Sequence, residues 1–397
     1  MIKRQEYLEK LIGFKDKQLI KVVTGIRRCG KSTLFELFQD YLIKNGVEPN
    51  QIITINFENA DFEELTDYKV LYDFLKKKLV KDKMTYIFLD EIQNVKDFQK
   101  AVDSLYINKN VDLYITGSNA YLLSGELATL LSGRYVEIKM LPLSFKEYLT
   151  AFQDKTDILK KFQLYLENGS FPYLFALNND KKLIKDYLNG IYSTVILKDV
   201  VARKNISDVS ILESIVKFMF DNIGNITSSK KISNTMTSAG RKISSPTVEN
   251  YLSALIDSFI LYKVNRYDIS GKQYLKTAEK YYVVDLGLKQ LLLGSKKQNL
   301  GHSIENIVYL ELLRRGYEVY IGKLRETEVD FIAIKDEKTE YYQVSQTVLD
   351  ENTLNRELKP LKSIKDHNQK FLLTLDNVPK INHDGIIQIN LVDWLLE

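Results

Sequence analysis

The chain has one cysteine, no apolar run long enough to span a bilayer, and little excess of either charge. Because Cys29 is the one cysteine of the chain, the sequence excludes an internal disulfide framework and a zinc ribbon. No run approaches the roughly 18 apolar residues that a membrane helix needs. The first ten residues, MIKRQEYLEK, are charged and lack the apolar core of a secretion signal. We therefore expect a soluble cytoplasmic protein with no membrane partner.

The charge balance gives little indication that the chain as a whole binds nucleic acid. There are 56 Lys and Arg against 52 Asp and Glu, a net charge of +4, so the chain is not a polycation. Residues 205–300 nevertheless carry 13 basic and 8 acidic residues, a difference of +5. A local surplus of this size is a weak indication of a nucleic-acid face. At 397 residues the chain is long enough for two or three domains.

The clearest motif is Gly-x-x-x-x-Gly-Lys-Ser at residues 25–32. A β-branched run at 19–24 predicts a strand before it, and helical spacing predicts a helix at 34–43 after it. In such a phosphate-binding loop, backbone N–H groups surround the phosphates, Lys31 reaches the terminal phosphates and the Ser32 hydroxyl binds magnesium. We therefore expect ATP and Mg²⁺ as ligands of Gly25, Arg28, Cys29, Gly30, Lys31, Ser32 and Thr33.

A second apolar strand, predicted at 86–89, ends in Asp90 and Glu91. In P-loop enzymes an aspartate at this position holds magnesium through water, and an adjacent glutamate polarises the attacking water. An acidic pair after an apolar strand is on its own usually just a strand end, but the upstream loop favours a catalytic role. We assign magnesium binding to Ser32 and Asp90, and the glutamate favours hydrolysis over passive nucleotide binding.

Two later positions complete the candidate site. A third predicted strand, 111–116, precedes Ser118 and Asn119, which either contact the γ-phosphate or cap the next helix. Arg134 precedes a strand at 135–140 and is either an arginine finger for a neighbouring subunit of a homo-oligomer or a surface arginine. The residues to which we assign catalysis are Lys31, Asp90, Glu91, Asn119 and Arg134.

Cys29 lies beside Lys31 and beside a predicted helix N-terminus, so we expect a lowered pKa for its thiol. It occupies the variable position before Gly30, which favours an incidental residue over a redox sensor. We expect alkylation of Cys29 to block nucleotide binding. Arg27 and Arg28 lie inside the loop, and at least one of them is expected to face solvent.

The middle of the chain is mostly helical. Residues 146–207 predict a lid or connector with no motif of nameable chemistry. From 208 to 298 three helices precede two strands, predicted at 211–222, 228–236, 247–258, 259–267 and 281–284. Three helices and a β-ribbon indicate a winged helix, although many winged helices contact only protein. Its groove-facing surface would make 228–260 a candidate DNA contact through Lys230, Lys231, Arg241, Lys242 and Asn250.

The last predicted domain, 299–397, begins with a helix at 304–315 followed by strands at 317–321, 329–334 and 341–345. Its helix and strands carry Glu305, Asp330 and Gln343-Val-Ser345, which looks like a restriction-endonuclease fold. The metal site of that fold uses the aspartate and, further on, an acid and a lysine separated by one residue. The carboxylates bind magnesium, and the lysine stabilises or activates the nucleophile. Because Gln343 and Ser345 stand at those last two positions, nuclease activity is not expected. Glu305 and Asp330 are then a retained structural pair.

Longer strings carry a family resemblance. VTGIRRCGKSTL, FLDEIQ, TGSN, SGRY and LPLSFKEYL closely resemble the AAA-type P-loop ATPases whose C-terminal half is called domain of unknown function 4143. The resemblance covers nearly the whole chain and includes the EVDF and YYQVS strands. It implies a winged helix and a nuclease-like domain after the ATPase core. By residue it places the phosphate-loop role on Gly25–Thr33, metal and water roles on Asp90 and Glu91, and a sensor role on Ser118 or Asn119.

The expected fold class is α/β: a parallel P-loop sheet with helices on both faces, then a winged helix and a mixed α/β domain. We expect the Asp90 strand not to neighbour the phosphate-loop strand. The predicted domains are 1–145, 146–207, 208–298 and 299–397. The predicted function is ATP hydrolysis that regulates nucleic-acid contact through the C-terminal half. The alternative is an ATP-dependent signalling or assembly switch with a protein partner, and a third interpretation is an active nuclease that depends on Asp330.

Overall fold

The computed structural model describes most of the chain and divides it into two compact units. The described residues are 2–118, 120, 131, 133–154, 156–201, 206, 208–271, 273–294, 299–324 and 327–397, with backbone alone at 197–198 and 274–278. One unit is Met1–Pro142 with Asp257–Phe259, and the other is Leu143–Ile256 with Ile260–Glu397. Within the described residues, no helix combines the length and apolar character needed to cross a bilayer.

The first unit alternates helices and strands around one sheet. Its elements are α1 (Gln5–Gly13), β1 (Ile20–Thr24), α2 (Lys31–Lys44), β2 (Ile52–Asn56), α3 (Tyr68–Lys78), β3 (Thr85–Asp90), α4 (Phe98–Tyr106), β4 (Val111–Gly117) and β5 (Tyr135–Lys139). The five strands are parallel and lie in the order β2-β3-β4-β1-β5. The prediction that the Asp90 strand does not neighbour the phosphate-loop strand is therefore confirmed, because β4 lies between β3 and β1.

Burial explains why these strands consist mostly of apolar residues. Every residue of β1, β3 and β4 is buried, as is typical of a parallel sheet covered on both faces. Because the strands are parallel, the carboxyl ends of β1, β3 and β4 meet at one edge of the sheet. The loop after Thr24 and the acidic pair after Leu89 therefore lie at the same edge, where open α/β sheets bind their ligands.

A buried ion pair interrupts the apolar core of this unit. Lys21 of β1 and Asp112 of β4 are 0% and 1% exposed, and the Lys21 ammonium donates to the Asp112 carboxylate. Lys17 O accepts a second bond from Lys21 Nζ (2.8 Å), while Tyr114 OH and the Asp16 backbone N–H each donate to Asp112 Oδ2 at 2.8 Å. Burial lowers the pKa of Lys21 and raises that of Asp112. The sequence patterns do not reveal this pair.

The second unit combines helices with one mixed sheet. Its elements are α5 (Phe145–Thr150), α6 (Ile158–Asn168), α7 (Lys181–Thr194), α8 (Val209–Asp221), α9 (Ser229–Ser238), α10 (Ser245–Asp257), β6 (Leu261–Asp268), β7 (Gln273–Val283), α11 (Leu286–Leu293), α12 (Leu300–Arg314), β8 (Glu318–Leu324), β9 (Thr327–Lys335), β10 (Lys338–Ser345), α13 (Glu351–Lys362), β11 (Gln369–Thr374), β12 (Ile381–His383), β13 (Ile386–Asn390) and α14 (Leu391–Leu396). Its eight strands follow the order β12-β13-β11-β10-β9-β8-β6-β7.

The predicted β-ribbon is part of that larger sheet. Strands β6 and β7 are antiparallel, and β6 also pairs in parallel with β8, where Arg266 is opposite Ile321. Aromatic side chains also connect the ribbon to the rest of the sheet. The ring of Tyr282 in β7 stacks on Tyr309 in α12 at 4.6 Å and lies 5.6 Å from Phe331 in β9. One continuous sheet therefore crosses the predicted domain boundary between residues 298 and 299.

Two of the helices before the ribbon begin at polar side chains that cap them. Asp208 accepts a bond from Ile211 N at the start of α8, and Ser228 accepts one from Lys231 N at the start of α9. Thr227, just before that cap, forms an antiparallel bridge with Glu279 of β7. A strand-like segment between α8 and α9 thus extends the ribbon to a third chain segment.

Candidate nucleotide site and a buried acid cluster

The phosphate-loop motif adopts a backbone that only certain residues tolerate. Gly25 has φ of 151°, and a Cβ placed there would lie 2.2 Å from the carbonyl oxygen of Met140. Gly30 has φ of 103° and immediately precedes α2. Arg28 also lies in the left-handed region, with φ of 68°. The two motif glycines are therefore required by geometry, since side chains are strained at such φ values.

Lys31 is buried at the start of α2, and its ammonium is held by the loop itself. The Nζ atom donates to Gly25 O at 3.1 Å and to Ile26 O at 3.4 Å. It also lies 3.4 Å from Oε1 of Glu91. Lys31 therefore bonds to oxygen atoms, and phosphate oxygens are stronger acceptors for the same ammonium.

Asp90 ends β3 and collects hydrogen bonds from three neighbouring elements. Ser32 Oγ donates to its Oδ2 at 2.6 Å, and Asn56 Nδ2 approaches the same oxygen at 3.3 Å. Thr116 of β4 donates to Oδ1. Burial raises the pKa of Asp90, and the bonds from Ser32 and Thr116 offset only part of that effect. Asn56 and Thr116 were not predicted, although both stand at the carboxyl ends of strands that flank β3.

Glu91 follows in a left-handed backbone conformation, with φ of 53° and ψ of 48°. Its N–H donates to Thr116 Oγ1 at 2.9 Å, which fixes the residue at the strand end. One carboxylate oxygen faces Lys31, and the other accepts a bond from the Gln93 side chain. Burial acts to raise the pKa of Glu91, but the charge of Lys31 and the Gln93 bond outweigh it and lower the pKa. Glu91 is thus a carboxylate at neutral pH.

The expected sensor position is described only in part. Ser118 is buried just after β4, and its Oγ lies 3.5 Å from Gln93 Nε2. It therefore lies close to the acidic pair. Asn119, the other sensor candidate, is outside the described residues.

Cys29 differs from its prediction. The residue is fully buried, and burial raises the pKa of its thiol, an effect that the charges of Lys31 and Arg4 offset only in part. The expectation of a lowered pKa is wrong, because desolvation outweighs those charges. Arg4 is itself buried and donates to Cys29 O at 2.8 Å and to Leu141 O at 2.6 Å. It joins the phosphate loop to the segment after β5.

The two loop arginines have different surroundings. Arg28 is exposed, which confirms that at least one of them faces solvent. Arg27 forms an ion pair with Glu58, with 2.5 Å between Nη1 and Oε1. The structure describes no contact between the exposed side chain of Arg28 and either Asp90 or Glu91.

Arg134 lies at the other end of the sheet from the phosphate loop. Its carbonyl accepts a bond from Ile20 N, at the first residue of β1, whereas the loop follows the last residue of that strand. The length of β1, about 16 Å at 3.3 Å per residue, separates the two. The guanidinium pairs with Asp103 and lies over the Tyr106 ring, 5.6 Å from its centroid. The structure therefore does not bring Arg134 to the nucleotide site of its own chain.

The donor set at this edge fits a magnesium nucleotide. Magnesium prefers oxygen ligands and is usually bound by one or two protein groups together with phosphates and water. The Ser32 hydroxyl and the Asp90 carboxylate supply two such oxygens 2.6 Å apart. The N-terminus of α2 and the Lys31 ammonium supply positive charge for the phosphates.

A second group of buried charges lies in the other unit. The Lys280 ammonium of β7 lies 2.6 Å from Glu328 Oε1, 3.1 Å from Glu305 Oε1 and 4.0 Å from Asp330 Oδ1. Tyr282 OH donates to Glu305 at 2.6 Å. The predicted pairing of Glu305 and Asp330 is thus a cluster around a lysine. Lys280 and Glu328 were not predicted.

Electrostatics in this cluster favour one protonated acid. Burial and the neighbouring Glu305 raise the pKa of Asp330 to about 8. Burial acts to lower the pKa of Lys280, but the three carboxylates outweigh it and raise the pKa. Lys280 therefore keeps its charge, whereas Asp330 is easily neutralised.

The two residues at the positions predicted for a nuclease acid and lysine form other hydrogen bonds. Gln343 Nε2 donates to Glu357 Oε2 at 2.9 Å, and Ser345 Oγ donates to Thr347 O at 3.2 Å. In the described part of the chain, no group of three or more His, Cys, Asp or Glu side chains could hold a metal ion.

The candidate DNA surface is exposed. The predicted contact residues all lie on the surface of α9, of α10 or of the turn between them: Lys230, Lys231, Arg241, Lys242 and Asn250. Arg241 donates to Ser210 O at 2.9 Å, and Ser229 donates to Glu249 at 2.7 Å. The turn is thereby attached to α8, and α9 is attached to α10.

Comparison with known families agrees with the first unit and gives a different name to the middle of the chain. Residues 17–149 match the family described as "AAA domain". Residues 159–299 match "Domain of unknown function (DUF8612)". The expected domain of unknown function 4143 stays a prediction.

Whole-chain relatives are known. An "Uncharacterized protein" of Haemophilus influenzae is 43% identical over 401 residues, covering 100% of this chain and 99% of the relative. Another, of Methanocaldococcus jannaschii, is 34% identical over 382 residues, covering 90% and 80%. The Walker-type ATPase of Pyrococcus abyssi shares the fold with a TM-score of 0.51 and 15% identity, over 74% of this chain and 96% of that one. The chain belongs to the family of these two bacterial and archaeal relatives, with an AAA-type P-loop domain at its N-terminus.

Proposed function

We propose that the chain hydrolyses ATP in a magnesium-dependent reaction at the carboxyl edge of the first sheet. The observation that carries this proposal is the meeting of four side chains from two distant segments. Ser32 Oγ lies 2.6 Å from Asp90 Oδ2, and Lys31 Nζ lies 3.4 Å from Glu91 Oε1. The AAA domain match and the P-loop fold support ATP binding.

Each loop residue has a role in this proposal. The backbone of Gly25–Thr33 surrounds the phosphates, and Lys31 neutralises charge on the terminal ones. Ser32 and Asp90 hold magnesium, which when bound neutralises charge on the phosphates. Glu91 accepts a proton from the attacking water, because a carboxylate next to the phosphate site is the available base.

The proposal extends to an oligomer. Arg134 lies too far from its own phosphate loop to contact that nucleotide, so a catalytic role requires a neighbouring subunit. To act in this way it would leave Asp103, its partner within the chain. Ser118 or Asn119, just after β4, would contact the γ-phosphate.

The C-terminal half is proposed to respond to nucleotide state and to contact DNA. Helices α8 to α10, the Thr227–Glu279 bridge and the β6–β7 ribbon support a winged helix over 208–298. Exposed basic residues within 228–260 form its candidate DNA surface. The domain after it, 299–397, is proposed to be restriction-endonuclease-like without nuclease activity. A connector at 146–207 would join these domains to the ATPase core at 1–145.

One observation favours a second candidate, an ATP-dependent switch whose partner is a protein. The ribbon that would form the wing is bonded to β8 on one side, so it is part of an eight-stranded sheet. A wing held in this way has less freedom to enter a DNA groove than an isolated hairpin. In this alternative the C-terminal half binds protein and ignores DNA.

Steady-state hydrolysis with and without single- and double-stranded DNA separates the two candidates. Wild type is run beside Lys31→Ala, which keeps the C-terminal surface but loses the phosphate ligand. Stimulation by DNA that Lys31→Ala lacks supports the DNA-responsive ATPase. Hydrolysis that is equal with and without DNA supports the protein-directed switch.

A further inference from the structure

Both oxygens of the Glu91 carboxylate have a partner within the chain. Oε1 lies 3.4 Å from the Lys31 ammonium, and Oε2 accepts a bond from Gln93 Nε2. A general base needs an oxygen within hydrogen-bond reach of the water whose proton it takes. To act as the base, Glu91 must therefore exchange one of these contacts for the water.

Of the two restraints, the one from Lys31 is shared with the loop. Lys31 Nζ also donates to Gly25 O and Ile26 O, at 3.1 Å and 3.4 Å. Phosphate oxygens carry more negative charge than these carbonyls and attract the ammonium more strongly. A bound triphosphate would draw Lys31 toward itself and free Oε1 of Glu91, while Gln93 would still hold Oε2.

The Gln93 amide has a second feature that points to a ligand. Its Oε1 atom is buried and accepts no hydrogen bond from any residue that the structure describes. Its Nε2 lies between Glu91 Oε2 and Ser118 Oγ, the latter at 3.5 Å. Because an ionised carboxylate only accepts, Nε2 must face Glu91, and Oε1 must be the open acceptor.

We propose that Gln93 is a positioning residue for ATP hydrolysis, an inference that rests on the function proposed above. Its Nε2 fixes the orientation of Glu91, and its open Oε1 accepts a hydrogen bond from the attacking water. The water then donates one hydrogen bond to Glu91, which takes that proton during the reaction, and a second hydrogen bond to Gln93 Oε1. Ser118 steadies the amide from the end of the adjacent strand β4.

The test compares turnover with nucleotide affinity in Gln93→Leu and Gln93→Glu. Leucine removes both hydrogen-bonding atoms, whereas glutamate keeps the shape and loses the donor to Glu91. We expect kcat to fall roughly 10-fold or more in both variants, a part of the about 10²–10⁴-fold that a general base contributes. The affinity of Gln93→Leu for ATP, measured with a fluorescent analogue, stays within about two-fold of wild type, since the side chain of Gln93 contacts Glu91 and Ser118.

A double-mutant cycle separates positioning from general damage. Both roles of Gln93, orienting Glu91 and orienting the water toward it, depend on Glu91 as the base, so Gln93→Leu should have little further effect in a Glu91→Gln background. Gln39→Leu makes the same chemical change on α2, where Gln39 accepts a bond from Thr54, and should retain wild-type turnover. Thermal melting of each variant checks that it is folded. If Gln93→Leu is not folded, Gln93→Glu is used in its place.

The outcomes are distinct. Wild-type kcat in folded Gln93→Leu or Gln93→Glu, or losses that multiply in the double variant, would overturn the role of Gln93 while leaving the ATPase intact. A wild-type chain that hydrolyses no ATP, or a Glu91→Gln chain that hydrolyses it normally, would instead overturn the proposed function on which the role depends.

Discussion

The hydroxyl of Ser32 donates a hydrogen bond of 2.6 Å to Oδ2 of Asp90, across 58 residues of sequence. The bond exists because β1 and β3 are parallel, so the loop after one and the acid ending the other meet at the same edge. Both atoms are oxygen ligands of the kind that magnesium prefers. The contact therefore joins the two halves of the candidate metal site.

Ser32→Ala should weaken magnesium-dependent nucleotide binding. The change removes one of the two proposed protein ligands, so we expect ATP affinity in magnesium to fall at least about 10-fold, while affinity in EDTA changes little. Titration of a fluorescent ATP analogue in both buffers measures the difference. Ser104→Ala is the matched control, because that hydroxyl bonds to Lys100 O on α4. Equal losses with and without magnesium would contradict the metal role.

Arg134→Ala should bind ATP normally and lose hydrolysis if the residue acts on a neighbouring subunit. Mixing Arg134→Ala with Lys31→Ala should then restore turnover, because each assembly can combine an intact loop with an intact arginine. Steady-state hydrolysis across mixing ratios measures the rescue. Hydrolysis at the wild-type level in Arg134→Ala alone would leave this arginine with its Asp103 contact and no catalytic role.

Lys21→Met should destabilise the first unit strongly. The ammonium is fully buried, and its loss leaves the Asp112 carboxylate without its cation, a change that typically costs about 3–5 kcal/mol. The exposed pair Lys83–Glu48, 48% and 52% exposed, provides the control. Lys83→Met should change the free energy of unfolding by less than about 1 kcal/mol. Denaturant unfolding measures both variants, and equal effects would contradict the importance of the buried pair.

The effect of Asp330→Asn on stability, relative to wild type, should become more favourable as pH rises. The folded chain keeps the Asp330 proton until about pH 8, whereas an unfolded aspartic acid loses it near its usual pKa of about 3.9. Between those pH values the folded state binds more protons, so wild-type stability falls as pH rises. Asparagine cannot ionise and escapes that loss.

The free energy of unfolding of Asp330→Asn relative to wild type should therefore increase between pH 5 and pH 9, as measured by chemical denaturation. Asp384→Asn, at an exposed position of the same unit, serves as the control and should show little change over that range. A constant difference for Asp330→Asn across the range would contradict the raised pKa.

The nucleotide site could be predicted from sequence because its signals are local. A phosphate loop is a contiguous motif, and Asp90 and Glu91 directly follow an apolar strand. Their meeting required only that the strands be parallel. Gln93 could not be singled out in the same way, because a polar residue two positions after a strand end is common and only the fold shows which atom it touches.

Burial and topology explain what the sequence did not reveal. The Cys29 thiol has a raised pKa because its side chain is fully buried, which a motif position does not indicate. Lys280, Glu305 and Glu328 come from β7, α12 and β9, so their meeting depends on how the helix and the ribbon pack in one sheet. The ribbon itself was predicted, but its pairing with β8 was not, because a parallel partner is separated from it by a helical segment.

The most direct test of ATP hydrolysis at this site is turnover in wild type and Glu91→Gln, with bound nucleotide quantified in the same samples. We expect magnesium-dependent hydrolysis by wild type. Glu91→Gln should keep ATP affinity but lose turnover by about 10²-fold or more, as expected when a general base is removed. Wild type without hydrolysis, or Glu91→Gln with unchanged turnover, would contradict the proposed function.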